Sequence, residues 1–246
     1  METSKENLSN QLKTELEPLY SKLIDSVSDH DYEKAFFCMQ WGRNFPLEDR
    51  HGLLFVGRAT NGWDSWDYGN IDSDDVFNTI FNKRDQLQWV ENLSGNRDGY
   101  NPNKSAFWRV IKRITECFHR DNWSSYIAWS NVCKVAPVSG NPSASLYYSQ
   151  LTTCQMILKK EIEILSPKTV VFLTGQSWAN DFLRYLNHKQ NTKSILQKTW
   201  GQYTCKVYEI DDRVFILSEH PQGKTETDHT QCILDLLNNT VGHELL

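Results

Sequence analysis

Two short apolar runs, each closed by glycine, constrain this chain more than any other feature: His51-Gly-Leu-Leu-Phe-Val-Gly57 and Thr169-Val-Val-Phe-Leu-Thr-Gly175. Neither alternates polar with apolar residues, so neither can lie with one face in water. Runs of this length fit strands buried on both faces, as in a parallel sheet covered by helices. Residues 126–131 read as a further strand, and 201–210 with 213–217 as a hairpin turning at Asp211-Asp212. The second member of that hairpin is expected in the main sheet.

Helical patterns fall between these strands. Leu8, Leu12, Leu16, Leu19, Leu23, Ile24 and Val27 recur at helical spacing, giving an amphipathic helix expected to pack on the flank of the sheet. A second short helix is expected over 32–39, a loop over 42–50, a broken helix over 72–91, and a surface loop rich in turn formers over 92–103. Ser105 reads as the N-cap of a helix over 106–118, with Phe107, Val110, Ile111 and Ile114 inward and Arg109, Lys112 and Arg113 on a solvated basic face. A long helix over 143–165 is broken at Ser166-Pro167, Ser177 is expected to cap another reaching 185, and a last helix spans 225–239. The alternation implies an α/β fold: a three-layer arrangement with a mostly parallel, four-stranded central sheet flanked by helices. Residues 1–45 are expected to form an N-terminal helical extension and 46–246 the α/β domain.

Composition removes several classes of function. No apolar run approaches the roughly 20 residues of a membrane-spanning helix, so no membrane partner is expected. The charged start, Met1-Glu-Thr-Ser-Lys-Glu, lacks the apolar core of a secretory signal, and a cytoplasmic location is expected. Six cysteines are spread singly, without metal-ligand spacing, so free thiols and no metal are expected. A net charge of −5 argues against holding duplex nucleic acid by broad charge neutralisation, though not against a local basic channel.

Open α/β sheets place ligands at the carboxyl ends of their strands. Four strand ends here carry, in order, Gly57-Arg-Ala-Thr-Asn-Gly62, Asn131-Val-Cys-Lys134, Gly175-Gln-Ser-Trp178 and His220-Pro-Gln-Gly223. This series resembles the uracil-DNA glycosylase superfamily over roughly residues 50–240. It is closest to the branch with G-E-A-P-G, a strand ending in N-x-x-K, a P-K-x-x-x-x-L-G strand and a closing H-P-S. Cys154, Leu158, Glu161-Ile162, Leu165 and Pro167-Lys168 stand before the third strand much as in that branch.

The resemblance implies hydrolysis of the N-glycosidic bond of uracil or a related base in DNA, without a cofactor, on a nucleotide extruded into a pocket. It places Asn131 on the edge of the base and His220 as a donor near the base oxygen. Gly57 and Arg58 would line the pocket, Trp63, Trp66 or Tyr68 would stack on the base, and Lys134 and Lys224 would contact substrate. Asn61 or Asp64 would orient a water, by proximity alone. The expected partner is uracil-containing or single-stranded DNA, or a nucleotide.

The departures bear on catalysis. Arg58, Ala59 and Thr60 replace the family's acidic or Asn residue and its Pro-Gly step, and Gln222 follows His220-Pro221 where the family has Ser. Only Cys154 falls where the branch's iron–sulfur cluster has a ligand, so no cluster is expected. Ala59 favours an alternative, a non-catalytic nucleotide, nucleic-acid or partner-binding module on the same fold.

Overall fold

The computed structural model describes residues 2–29, 33–45, 52–60, 65–66, 73–79, 81, 86–91, 101–188 and 190–241. In chain order the elements are α1 (Glu2–Ser26), β1 (Lys34–Phe36), β2 (Gln40–Trp41), β3 (Leu53–Gly57), β4 (Ser65–Trp66), α2 (Ser73–Thr79) and α3 (Ala106–Thr115). There follow β5 (Ile127–Asn131), β6 (Val135–Pro137), α4 (Ala144–Leu165), β7 (Thr169–Leu173), α5 (Gln176–Leu186), β8 (Leu196–Trp200), β9 (Tyr203–Ile210), β10 (Arg213–Ser218) and α6 (Glu226–Val241). Two units interleave along the chain: Met1–Gln40, Arg58–Lys83 and Ser130–Ser166 form one, and Trp41–Gly57, Arg84–Trp129 and Pro167–Leu246 the other.

In the first unit α1 packs on α4, because Leu12, Leu16, Tyr20, Leu23 and Val27 form one apolar stripe and are buried. Ser143 caps α4, its hydroxyl accepting from the Leu146 N–H at 3.2 Å, and Ser166 ends it with φ 47°. A three-stranded sheet runs β4-β1-β6, with Lys34 opposite both Trp66 and Pro137. The helix expected over 32–39 is therefore overturned where the structure describes it. Residues 34–39 are buried at every position, and a segment without a polar face has no amphipathic pattern to wrap as a surface helix. Extended backbone lets Lys34–Phe36 bury both faces while pairing its polar groups with its neighbours.

The second unit is built on a seven-stranded sheet of order β2-β5-β3-β7-β10-β9-β8. The four strands expected from sequence are its consecutive inner members, β5, β3, β7 and β10. Both β3 and β10 run parallel to β7, with Leu53 and Val214 opposite Thr169, and every side chain of β3 and β7 is buried. β9 pairs antiparallel with β10, and Asp211 and Asp212 turn the chain with φ of 50° and 60°, the two positive values a tight two-residue hairpin requires. β8 was not anticipated. It is an edge strand whose first four residues are exposed, so its sequence, Leu-Gln-Lys-Thr-Trp, lacks the apolar signature of the inner strands.

Helices α5 and α6 lie against this sheet, and α3 packs on α6. The fold is α/β, a mostly parallel central sheet flanked by helices, with a helix at the N-terminus. Two expected caps differ in detail. Ser105 stands at the N-cap of α3 but its hydroxyl makes no capping bond. α5 starts earlier than expected, at Gln176 behind Gly175 (φ 83°), and the Gly175 N–H donates to the Ser218 carbonyl at 2.9 Å, so Ser177 lies inside the helix. Among the described residues, no helix is long and apolar enough to cross a membrane.

Behind β10, the His229 ring is fully buried, stacks on Trp200 at 4.3 Å and bonds Ser218 Oγ through Nε2 at 2.6 Å. Burial, reinforced by the charges of Lys224 and His220, holds its pKa down at about 4. The unfolded chain protonates this imidazole near pH 6.5 and the folded chain near pH 4. Its contribution is thus whole above pH 6.5, is lost as the pH falls towards 4, and changes no further below that. Urea unfolding should show a loss on the order of 3 kcal/mol across this window from His229, and His229→Gln should remove that slope between pH 6.5 and 4.5.

Candidate functional site

In the first unit, the segment that follows β3 and the segment that ends β5 are tied together: the Cys133 N–H donates to the Arg58 carbonyl at 2.9 Å. Gly57 is buried at the end of β3, and Arg58 and Ala59 are half-buried. Asn131 is 1% exposed, and its Nδ2 has no hydrogen-bond partner among the described residues. Thr60, 2% exposed, likewise carries a hydroxyl with no partner among them. A buried polar group left unpaired costs about 1–3 kcal/mol, and the great majority of such groups are paired. Asn131, singled out from sequence, thus keeps an unused hydrogen-bond donor.

Lys134 is held differently from the substrate contact expected of it. Its side chain is fully buried, and Nζ donates to Ser130 Oγ at 2.6 Å and to Glu161 Oε1 and Oε2 at 2.8 and 2.9 Å. An ammonium has three protons, and these three bonds use them all. Ser130 Oγ passes its own proton to Glu161 Oε2 at 2.7 Å, closing a ring of three side chains. Gln150 adds a second anchor from α4: its Oε1 accepts from the Lys134 and Val135 N–H groups, and its Nε2 donates to the Val135 carbonyl at 2.8 Å. Asn131 is therefore flanked by two residues, Ser130 and Lys134, that are bonded to the same helix.

In the second unit His220 follows β10 and is half-exposed. The Gln222 N–H donates to its Nδ1 at 3.2 Å, so a neutral ring carries its proton on Nε2 and presents a donor there. Phe107 lies nearly parallel to the ring, 6.4 Å away and 18° inclined. Phe107 in turn meets Trp108 and Trp129, and Trp89 completes the cluster. Sequence placed Phe107 simply on the inward face of its helix; nothing in a helical period distinguishes a core ring from one that lies against the His220 imidazole.

Lys224 Nζ sits 4.9 Å over the Tyr203 ring, beside a cavity of about 240 Å³ lined by Gln176, Tyr203, Lys206, Ser218 and Glu219 among others. Lys206 Nζ donates to Gln176 Oε1 there at 3.2 Å. The basic face of α3 is not simply solvated: Arg109 and Arg113 both engage Glu226 on α6, and Lys112 pairs with Glu116. The Arg109 guanidinium holds the Glu226 carboxyl below the usual carboxylate range. Asn61, Trp63, Asp64 and Tyr68 lie outside the described residues, and of Trp66 only the backbone, paired with β1, is described.

The ring of Lys134, Glu161 and Ser130 makes a testable demand on stability. Lys134→Ala or Glu161→Ala strands one buried charge and should cost about 3–5 kcal/mol. The double substitution Lys134→Met, Glu161→Leu removes both charges and should recover most of that loss, as read from urea midpoints.

The chain has no match among curated proteins. The profile of the Uracil DNA glycosylase superfamily matches residues 39–237, a span that takes in both tied loops, the clamp on α4 and the His220 segment. On that match the chain belongs to the uracil DNA glycosylase superfamily.

Proposed function

We propose that this protein excises uracil, or a related base, from DNA by hydrolysing the N-glycosidic bond. The observation that carries the proposal is the Asn131 amide, buried and unpartnered at the strand end of a superfamily member. An amide donor fixed there suits the carbonyl of an extruded base. As the C1′–N bond breaks, its electron pair passes to the base and positive charge develops on the sugar. Water then supplies the oxygen to C1′, and its proton ends on the base or in solvent. Donors that meet the growing negative charge on the base oxygen lower the barrier selectively. The Nε2–H tautomer of His220, set by Gln222, fits it for that task. Gly57 and Arg58 would form the pocket wall, Trp63 or Trp66 the stacking surface, Asn61 or Asp64 the water contact, and Lys224 a phosphate contact. Lys134 enters as the residue that holds Asn131 in place rather than one that touches DNA.

One observation favours a second reading. Arg58 and Ala59 leave the loop after Gly57 without the carboxylate or amide that the family carries there, which fits a module that binds a nucleotide or nucleic acid without cleaving it. Base release from single- and double-stranded uracil oligonucleotides at low salt separates the two. Glycosylase action requires release by the native protein and a loss of about 10²–10³-fold in rate for His220→Ala and Asn131→Ala. Binding that persists without release, and weakens in Asn131→Ala, would instead establish the module.

A further inference from the structure

Thr60 and Asn131 each stand two residues from one end of a single backbone hydrogen bond. Thr60 is two residues beyond Arg58, Asn131 two before Cys133, and Arg58 and Cys133 are joined through backbone at 2.9 Å. Two residues of chain span at most about 7 Å, which limits how far either Cα can lie from that bond. Both side chains are almost wholly buried, and both carry a polar atom with no partner. Valine has the shape of threonine, so a buried hydroxyl that bonds nothing in the protein is a standing cost that an apolar residue of the same size would remove. Two orphaned groups on joined loops call for one occupant. Thr60 is also a residue that the family resemblance does not assign, since the family carries its Pro-Gly step there.

We propose that Thr60 is a second ligand contact of the Asn131 site, and that the two together read a lactam edge, a ring carbonyl beside a ring N–H, of a nucleobase. This rests on the glycosylase-superfamily reading above. Asn131 Nδ2 donates to the carbonyl. Thr60 Oγ accepts from the ring N–H, and because a hydroxyl rotates it can equally donate. Selectivity against an amino group in place of the carbonyl therefore comes from Asn131, which would face it donor to donor, whereas Thr60 adds affinity without discrimination.

The test uses binding, so that it does not depend on turnover. The probe is a single-stranded oligonucleotide with one uracil on a 2′-fluoroarabinose, whose fluorine disfavours positive charge at C1′ and blocks cleavage; the control carries cytosine. Fluorescence anisotropy compares the full chain with Thr60→Val, Thr60→Ser and Asn131→Ala, alongside melting temperatures. Thr60→Val should weaken uracil binding about tenfold, keep the preference over cytosine, and melt no lower than the native protein. Thr60→Ser should bind within about twofold, and Asn131→Ala should lose the preference. Native-like binding by Thr60→Val, or a clear drop in its melting temperature, overturns the proposal by making the hydroxyl idle or structural. A native protein that does not prefer the uracil probe removes the nucleobase reading itself, before any Thr60 variant is compared.

Discussion

In the first unit the segment after β5 is held by the buried ion pair of Lys134 and Glu161. Two charges without water are tolerable only if every remaining proton and lone pair is engaged, and Ser130 and the carboxylate meet that condition around Nζ. The pair ties the segment after β5 to α4 at one point, and Gln150 ties it at another. Between Ser130 and Lys134 the chain has little freedom left, and Asn131 is in that interval. A rigid amide with an open donor arises here because its neighbours carry the cost of order.

Two histidines of the second unit, His220 and His229, show how environment sets apart groups of one chemistry. His229 is sealed, stacked and held neutral, and its hydrogen bond to Ser218 serves packing behind β10. His220 lies a few residues beyond the same strand, half-exposed, with Nδ1 engaged by a backbone N–H and its ring braced against Phe107. A Ser–His contact could be mistaken for a nucleophile and its base, but the His229 ring is stacked on Trp200 within the core. Exposure and the engagement of Nδ1, not residue type, distinguish the two rings.

What sequence revealed followed the strength of the local signal. Wholly apolar runs declared β3 and β7, and paired acidic residues at a turn declared the β9–β10 hairpin. β8 stayed hidden because an edge strand satisfies solvent on most of its length, and residues 34–39 misled because a buried extended segment and a helix fragment share the same apolar content. That Asn131 and His220 each stand at the end of a strand was legible from motif order. The fate of the Lys134 amine was not, since its partner Glu161 is set by how α4 packs, and no local spacing records a contact 27 residues away. Thr60 was visible only as a departure from the family pattern; that its hydroxyl is orphaned is a fact of packing alone.

The interleaving of the two units has a consequence for synthesis. α1 leaves the ribosome before α4, on which its apolar stripe rests and which does not begin until Ala144. At about 5–20 residues per second, roughly ten seconds pass before that partner exists. Through that interval Leu12, Leu16 and Leu23 lack the helix that completes their burial. In nascent chains α1 is thus a segment exposed to aggregation, although in the finished molecule its apolar stripe is fully buried.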